Sequence, residues 1–377
     1  MNQAPTMDPK TIKLNDLHAQ YVELRQDIDS AICAVIHSSA FIRGPYVEEF
    51  ERQWAAASGA AHCVSCANGT DALFVAMKAL GAGPGDEVIT TALSWISTSE
   101  TITLTGAQVV FCDIEPNSFT LDPSKLEALI TERTKGIIPV HLYGQPADMD
   151  AVLDIARRHG LWVLEDCAQA HLACDKGRQV GTIGAAGTFS FYPGKNLGAM
   201  GDAGCIIAND EALATKMAVF ARHGGLKKND HEIEGINSRM DGLQAAILIA
   251  KLQSLEVWTK RRVHLAAVYA DALKGITAIR APVVRPGATH VYHLYVIRAK
   301  KRDQLREYLR ARGIETLINY PRALPFLKAY GRLNHKPEDF PEAFRAQAEI
   351  LSLPMHPYLS DGDIEYVGRT IADYYAC

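Results

Sequence analysis

Three short stretches of this 377-residue chain hold residues whose types and spacing suit chemistry. In CANGTDALFVAMKALG, an expected strand ends at a turn and a helix starts with Gly69, Thr70 and Asp71. A helix start offers free backbone N–H groups to an anion. An ordinary capped helix has the same look, and a dipole contribution of ~0.3–1 kcal/mol does not alone hold a dianionic phosphate. Further donors must converge there. In LWVLEDCAQAH, the apolar run 161–164 delivers Glu165 and Asp166 at a strand end, with Gln169 and His171 about a turn further on. A carboxylate so placed keeps a ring nitrogen protonated, which a pyridine cofactor needs to act as an electron sink; a helix N-cap is the competing role. Asp166 reads as the ligand and Glu165 as structural. In GTFSFYPGKNLGAMGDAG, a β-rich run ends at a Pro-Gly turn that presents Lys195. A nucleophilic lysine needs burial or neighbouring charge to lower its pKa, and a tight turn at a sheet edge suits Schiff-base chemistry. A solvated turn lysine is the alternative.

These stretches need a frame that brings strand ends together. Between residues 60 and 210, short apolar runs alternate with amphipathic ones: strands at HCVSC, EVITT, VVFCDI, GIIPVHL and LWVLED, and helices over 70–80, 96–105, PSKLEALI and MDAVLDIARRHG. That alternation predicts an α/β fold with a largely parallel sheet, whose ligands sit at the carboxyl ends of the strands. After the strand GCIIAND, helices are expected over 211–222 and 238–258, separated by the polar loop GGLKKNDHEIEGIN. Proline-punctuated segments, the aromatic strand HVYHLYVIRA, a helix over 303–312 and a last helix from Asp361 then suggest a smaller α/β domain. The expected division is 1–258, an N-terminal arm with a large domain, and 259–377.

Composition narrows the function classes. With 48% hydrophobic and 22% charged residues the chain is an ordinary globular protein, and a net charge of -4 gives no field that would draw it to nucleic acid or anionic lipid. MNQAPTMDPKTI lacks the features of a signal peptide, and no run of eighteen apolar residues occurs, so a cytoplasmic location is expected. Eight cysteines, at 33, 63, 66, 112, 167, 174, 205 and 377, read as scattered thiols and not as a disulfide framework. Cys63 and Cys66 form a lone CxxC without a second ligand pair, so no metal site is assigned.

Combination and order carry more than any single stretch. From FIRGPYVEEFE through NGTDAL, GPGDEVIT, IIPVHLYG, EDCAQAH, SFYPGKNLG, NSRMDGLQAAIL and LSLPMHPYLSD, nearly the whole chain resembles the DegT/DnrJ/EryC1/StrS nucleotide-sugar aminotransferases. That family belongs to fold type I, the aspartate-aminotransferase-like class of pyridoxal 5'-phosphate (PLP) enzymes. The resemblance implies that Lys195 holds PLP as a Schiff base and then serves as acid and base, and that Asp166 pairs with the pyridinium nitrogen. It implies that Trp95 stacks on the ring and Gln169 bonds the phenolic oxygen. The phosphate would rest on Gly69, Thr70, Ser190 and an Asn237 contributed by the neighbouring subunit, which makes a homodimer the minimum active unit. By its own position Asn237 also suits an N-cap of the following helix.

Two departures from the family pattern stand out. Pro325 follows Leu324 where many relatives have a histidine, so no sugar contact is assigned there, and Ala203-Gly204 replaces a glycine pair. The implied substrates are a nucleotide-linked keto sugar and an amino-acid donor, most often L-glutamate. The tyrosine-proline-glycine form of the lysine loop is similar to that of the members that aminate C3. Amination at C4, the sister dehydratases that carry histidine in place of the lysine, and a regulatory protein are the competing functions.

Overall fold

The computed structural model describes residues 11–376. Most of MNQAPTMDPKTI, and Cys377, lie outside the described residues. Three helices precede the first strand: α1 (Leu17–Glu23), α2 (Arg25–Ser38) and α3 (Pro45–Ser58). Helix α3 has local punctuation, with proline at its first position and a left-handed Gly59 after its last.

The central sheet is built from β1 (His62–Cys66), β2 (Glu87–Thr91), β3 (Gln108–Cys112), β4 (Thr134–Ile138) and β5 (Trp162–Asp166). After a small hairpin of β6 (Cys174–Asp175) and β7 (Arg178–Gln179), β8 (Ala186–Ser190) and β9 (Gly204–Ala208) complete it. The strand order is β1-β9-β8-β5-β4-β2-β3. Neighbours from β8 through β5, β4 and β2 to β3 pair in parallel, and β9 runs antiparallel to both β1 and β8. A mostly parallel sheet is therefore present, as the alternation of apolar patterns predicts, and its buried strands read as near-continuous apolar runs. The intervening helices are α4 (Gly69–Ala79), α5 (Ser97–Leu104), α6 (Pro123–Leu126), α7 (Met149–His159) and α8 (Glu211–Ala221).

The chain continues through α9 (Gly242–Leu252), α10 (Leu255–Ala272), β10 (Ile279–Arg280), β11 (Ala288–Thr289), β12 (Tyr295–Ala299), α11 (Arg302–Arg310), α12 (Pro341–Glu349), β13 (Ile350–Leu353) and α13 (Asp361–Ala376). A second, three-stranded antiparallel sheet, β10-β12-β13, has its own apolar cluster with Leu265, Tyr269, Leu305, Leu309, Ile364 and Val367. The change of core falls inside α10: Leu255 packs with the large sheet and Leu265 with the small one.

Local pattern misleads in three places. The single helix expected over 238–258 starts late, at Gly242, because residues 238–241 are spent on long-range bonds, and it is divided at Gln253–Ser254 into α9 and α10. Ser238 Oγ accepts the Ala67 N–H at 3.1 Å, and Asp241 bridges Ile42. The cap of α9 is Asp241, so Asn237 caps no helix. The expected strand 290–299 begins only at Tyr295. Residues 290–293 turn instead, with Tyr292 at φ 44° and the Val291 N–H donated to Gly144 O at 3.0 Å. The expected helix PSKLEALI stops after Leu126 and tightens into a 3₁₀ turn.

Candidate active site

Asp166 ends β5, Ser190 ends β8, Gly69 starts α4 just after β1 and Trp95 follows β2, so four of the expected positions meet at the carboxyl edge of the sheet. At the β1–α4 turn, Asn68 accepts the Asp71 N–H at 2.8 Å. The N–H groups of Gly69 and Thr70, in the first turn, have no intrahelical acceptor. Glycine is required at 69 by close approach: a Cβ there would stand 2.5 Å from Ser190 Cβ. The Ser190 hydroxyl thus lies against the helix start. Thr70 Oγ1 and Ser97 Oγ share a hydrogen bond of 2.7 Å.

Lys195 sits on a turn closed by its own N–H to Tyr192 O, 2.9 Å. It is half-buried, and desolvation lowers its pKa to about 8 against the opposing pull of Asp166. The loop around it is fixed from three sides. Asn196 Nδ2 donates to Val291 O at 3.1 Å, buried Lys251 donates to Gly198 O at 2.8 Å, and Gln244 Oε1 accepts the Met200 N–H at 2.9 Å. At Gly198 a Cβ would meet Pro193 O at 2.3 Å, so only glycine closes this turn. Ala203, in the departure from a glycine pair, is simply buried, whereas Gly204 lies against the Asn68 backbone.

The adjacent acids have separate surroundings. Glu165 accepts from Gly181, Ile183 and Gly184 N–H groups at 2.7–2.9 Å and pairs with His141 Nε2 at 2.9 Å. Asp166, only 4% exposed, takes its hydrogen bonds from neutral donors: Thr98 Oγ1 to Oδ2 at 2.7 Å and Ala168 N–H to Oδ1 at 3.1 Å. A buried carboxylate with neutral donors suits a cationic ring nitrogen, and the α4 N-terminus with Ser190 suits a phosphate. The residues present therefore fit PLP.

Trp95 is 57% exposed, its ring centroid 5.6 Å from that of Tyr320. Gln169 uses both ends of its amide: Oε1 accepts the Tyr143 N–H at 2.7 Å and Nε2 donates to Tyr320 Oη at 2.9 Å. One Nε2 hydrogen is left for a cofactor oxygen. Burial holds the Tyr320 phenol well above its ordinary pKa. Asn237 is exposed and joined to Arg222 through the backbone. His171 is wholly buried among Trp54, Phe189 and Phe191. Leu324 and Pro325 are buried in a 3₁₀ turn, with the Leu324 N–H on Ala92 O at 2.8 Å.

The model of the DegT/DnrJ/EryC1/StrS aminotransferase family matches residues 22–372. The chain belongs to that family. Among relatives, it is 47% identical to the pleiotropic regulatory protein of Geobacillus stearothermophilus, over 97% of this chain and 98% of that one. It is 43% identical to the dTDP-3-amino-3,4,6-trideoxy-alpha-D-glucose transaminase of Streptomyces venezuelae, over 91% of each. To the UDP-2-acetamido-2-deoxy-3-oxo-D-glucuronate aminotransferase of Pseudomonas aeruginosa it is 42% identical, over 94% of this chain and 98% of that one. The crystal structure of S. venezuelae DesV in complex with a ketimine intermediate superposes with a TM-score of 0.95 at 40% identity, covering 97% of this chain and 99% of the other.

Thr98, Tyr320 and Asn196 escaped the reading by motif. Tyr320 precedes Pro321 in INYPRALPFLKAY, the stretch that holds Leu324 and Pro325, and its motif gives it no role. Thr98 had a fainter signal, a run of hydroxyl residues, STSET, on a helix whose first three residues are buried.

Proposed function

We propose that this family member is a PLP-dependent aminotransferase that moves an amino group from an amino-acid donor, L-glutamate, to C3 of a nucleotide-linked keto sugar. The observation that carries the reading is the pairing of a half-buried lysine, its pKa lowered to about 8, with a buried carboxylate held by neutral donors at the same sheet edge. PLP, when bound, supplies the electron sink for the carbon that bears the transferred nitrogen. Lys195 Nζ anchors the carbonyl and, once displaced, carries the proton between the two carbons. Near neutrality a lysine with this pKa has a useful fraction of free amine. Asp166 holds the ring nitrogen protonated, the Gly69 and Thr70 N–H groups with the Ser190 hydroxyl hold the phosphate, and Trp95 offers its exposed face to the ring. Gln169 orients the phenolic side through its remaining N–H.

Asn237 completes the phosphate site from a second copy of the chain. A homodimer is supported by large apolar side chains left exposed in the monomer, including Phe41, Ile42, Tyr192 and Met200. No helix among the described residues is long and apolar enough to cross a membrane, which suits a cytoplasmic enzyme acting on soluble nucleotide sugars. Amination at C3 follows the 3-amino and 3-oxo names of the two sugar-specific relatives and the Tyr192-Pro193-Gly194 form of the loop.

The reverse reaction tests this. Purified PLP-loaded protein receives matched dTDP- or UDP-linked 3-amino and 4-amino sugars without 2-oxoglutarate, and conversion of the cofactor to its amine form is followed by absorbance. Conversion by 3-amino sugars alone is expected. Conversion only by 4-amino sugars moves the reaction to C4, and no bound cofactor at all overturns the enzyme reading in favour of a regulator.

A further inference from the structure

Hydroxyl side chains on a buried helix usually bond back to the preceding turn, and in α5 most do. Thr101 Oγ1 donates to Ser97 O at 2.7 Å, and Ser99 Oγ to Ile96 O at 3.0 Å. Two hydroxyls of the first turn leave the helix. Ser97 Oγ joins Thr70 at the phosphate end of the site, and Thr98 Oγ1 donates to Asp166 Oδ2 at the ring-nitrogen end. One turn of α5 thus ties both ends of the cofactor cleft.

We propose that Thr98 is a positioning residue for Asp166, polarised by Ser94 behind it, so that the carboxylate presents a fixed oxygen to the ring nitrogen. The donor order follows from counting hydrogens. A carboxylate only accepts, so the single Thr98 hydroxyl hydrogen goes to Oδ2. In the 3.2 Å contact between Ser94 Oγ and Thr98 Oγ1, the serine is then the donor. Ser94 and Thr98 are 4% and 1% exposed, so water does not compete for these bonds. With Oδ2 held by Thr98 and Oδ1 by the Ala168 N–H, the carboxylate plane is fixed by two elements, α5 and the turn after β5. Freed of Thr98, it would rotate about its side-chain torsions, and the ring nitrogen would meet a range of geometries.

This inference rests on Asp166 facing the ring nitrogen. Its test compares Thr98→Val, close in shape but without the hydroxyl, with Thr98→Ser, which restores it. Five quantities are read: melting of the PLP-free protein, the PLP dissociation constant, the pH midpoint of visible absorbance of the Lys195-bound cofactor, and the rate and KM of the glutamate half-reaction. Thr98→Val is expected to weaken PLP binding and slow the half-reaction by roughly 10- to 100-fold, the loss of one bond to a charged group. The absorbance midpoint moves, donor KM changes little, and Thr98→Ser recovers the parent values to within about threefold. A valine variant with unchanged PLP affinity and midpoint, or a serine variant no better than valine, overturns the proposal. Should Thr98→Val not fold, Ser94→Ala removes only the polarising donor, and an absorbance midpoint identical to the parent's overturns the relay. Asp166→Asn, run alongside, separates the two failures: if it too leaves midpoint and rate unchanged, the reading of Asp166 falls, and if it abolishes turnover while Thr98→Val does nothing, only the relay falls.

Discussion

Glu165 and Asp166 are neighbours on β5, and strand alternation sends their side chains to opposite faces of the sheet. Glu165 serves the fold through three backbone N–H groups and His141. Asp166 faces the cleft. Their conservative amides should therefore fail differently. Glu165→Gln turns an NH₂ group toward buried N–H donors and should cost about 2–4 kcal/mol of stability, read as a lowered denaturant midpoint. Asp166→Asn should keep its melting temperature and bind PLP, yet transaminate orders of magnitude more slowly, because a neutral amide no longer favours the charged ring nitrogen. An Asp166→Asn rate within tenfold of the parent's removes the proposed role.

Why the sequence disclosed one acid of the site and not its holder is a matter of range. Glu165, Asp166, Gly69 and Lys195 sit in strand–turn–helix patterns whose periodicity is local, so their places at strand ends could be read directly. Thr98 reaches Asp166 across 68 positions and Tyr320 reaches Gln169 across 151, and no periodicity reports such bonds. The late start of α9 was hidden for the same reason. Apolar spacing over 238–258 is helical throughout, and only the bonds of Ser238 to Ala67 and Asp241 to Ile42 pull the first four residues out. The three helices before β1 were passed over although α3 carries a proline start and a glycine stop.

Lys195 should report its burial through pH. Its pKa is lowered from the ordinary lysine value to about 8, chiefly by desolvation, and the free amine is the nucleophile. The rate of covalent PLP attachment to the PLP-free protein should thus rise with pH and level off above a midpoint near 8, not near 10.5. Stopped-flow absorbance between pH 6.5 and 10 measures it. Lys195→Ala should abolish turnover and borohydride-trapped attachment while the fold persists, since the side chain lies in the cleft. Turnover well above buffer in that variant would remove this lysine from the chemistry.

Gly69 should tolerate no side chain. In Gly69→Ala the new methyl stands 2.5 Å from Ser190 Cβ and 3.1 Å from Ser190 Cα, which is backbone, so the β8 end must move away from the α4 start. The hydroxyl then leaves the phosphate cradle. PLP affinity should fall by about tenfold or more, with a smaller loss for Ser190→Ala, which removes one donor and leaves the N–H groups in place. Equilibrium titration of PLP into the PLP-free variants gives both values, and equal losses would show that Ser190 is the whole effect.

His171 makes the last prediction, on acid stability. Its ring is wholly buried, neither nitrogen makes a well-formed hydrogen bond among the described residues, and burial, helped by the charge of Lys195, outweighs the nearby Ser190 backbone and lowers its pKa to about 3. In the unfolded chain the ring titrates near 6.5, so as pH falls below 6.5 the unfolded state takes up a proton that the folded state refuses. Folding stability from this group is therefore full above pH 6.5 and declines by up to ~1.4 kcal/mol per pH unit on the way down toward 3. His171→Leu, similar in volume and surrounded by Trp54, Phe189 and Phe191, removes both the titration and the poorly bonded ring nitrogens. The variant should be at least as stable as the parent at pH 7.5 and should lose about 2 kcal/mol less between pH 6.5 and 5. Burial likewise lowers His290 to about 3 and pushes His293 well down, so a slope of the same sign should remain. Urea midpoints at pH 7.5, 6.5 and 5 decide the matter: parallel parent and variant curves would mean that the buried ring takes up its proton in the folded state after all.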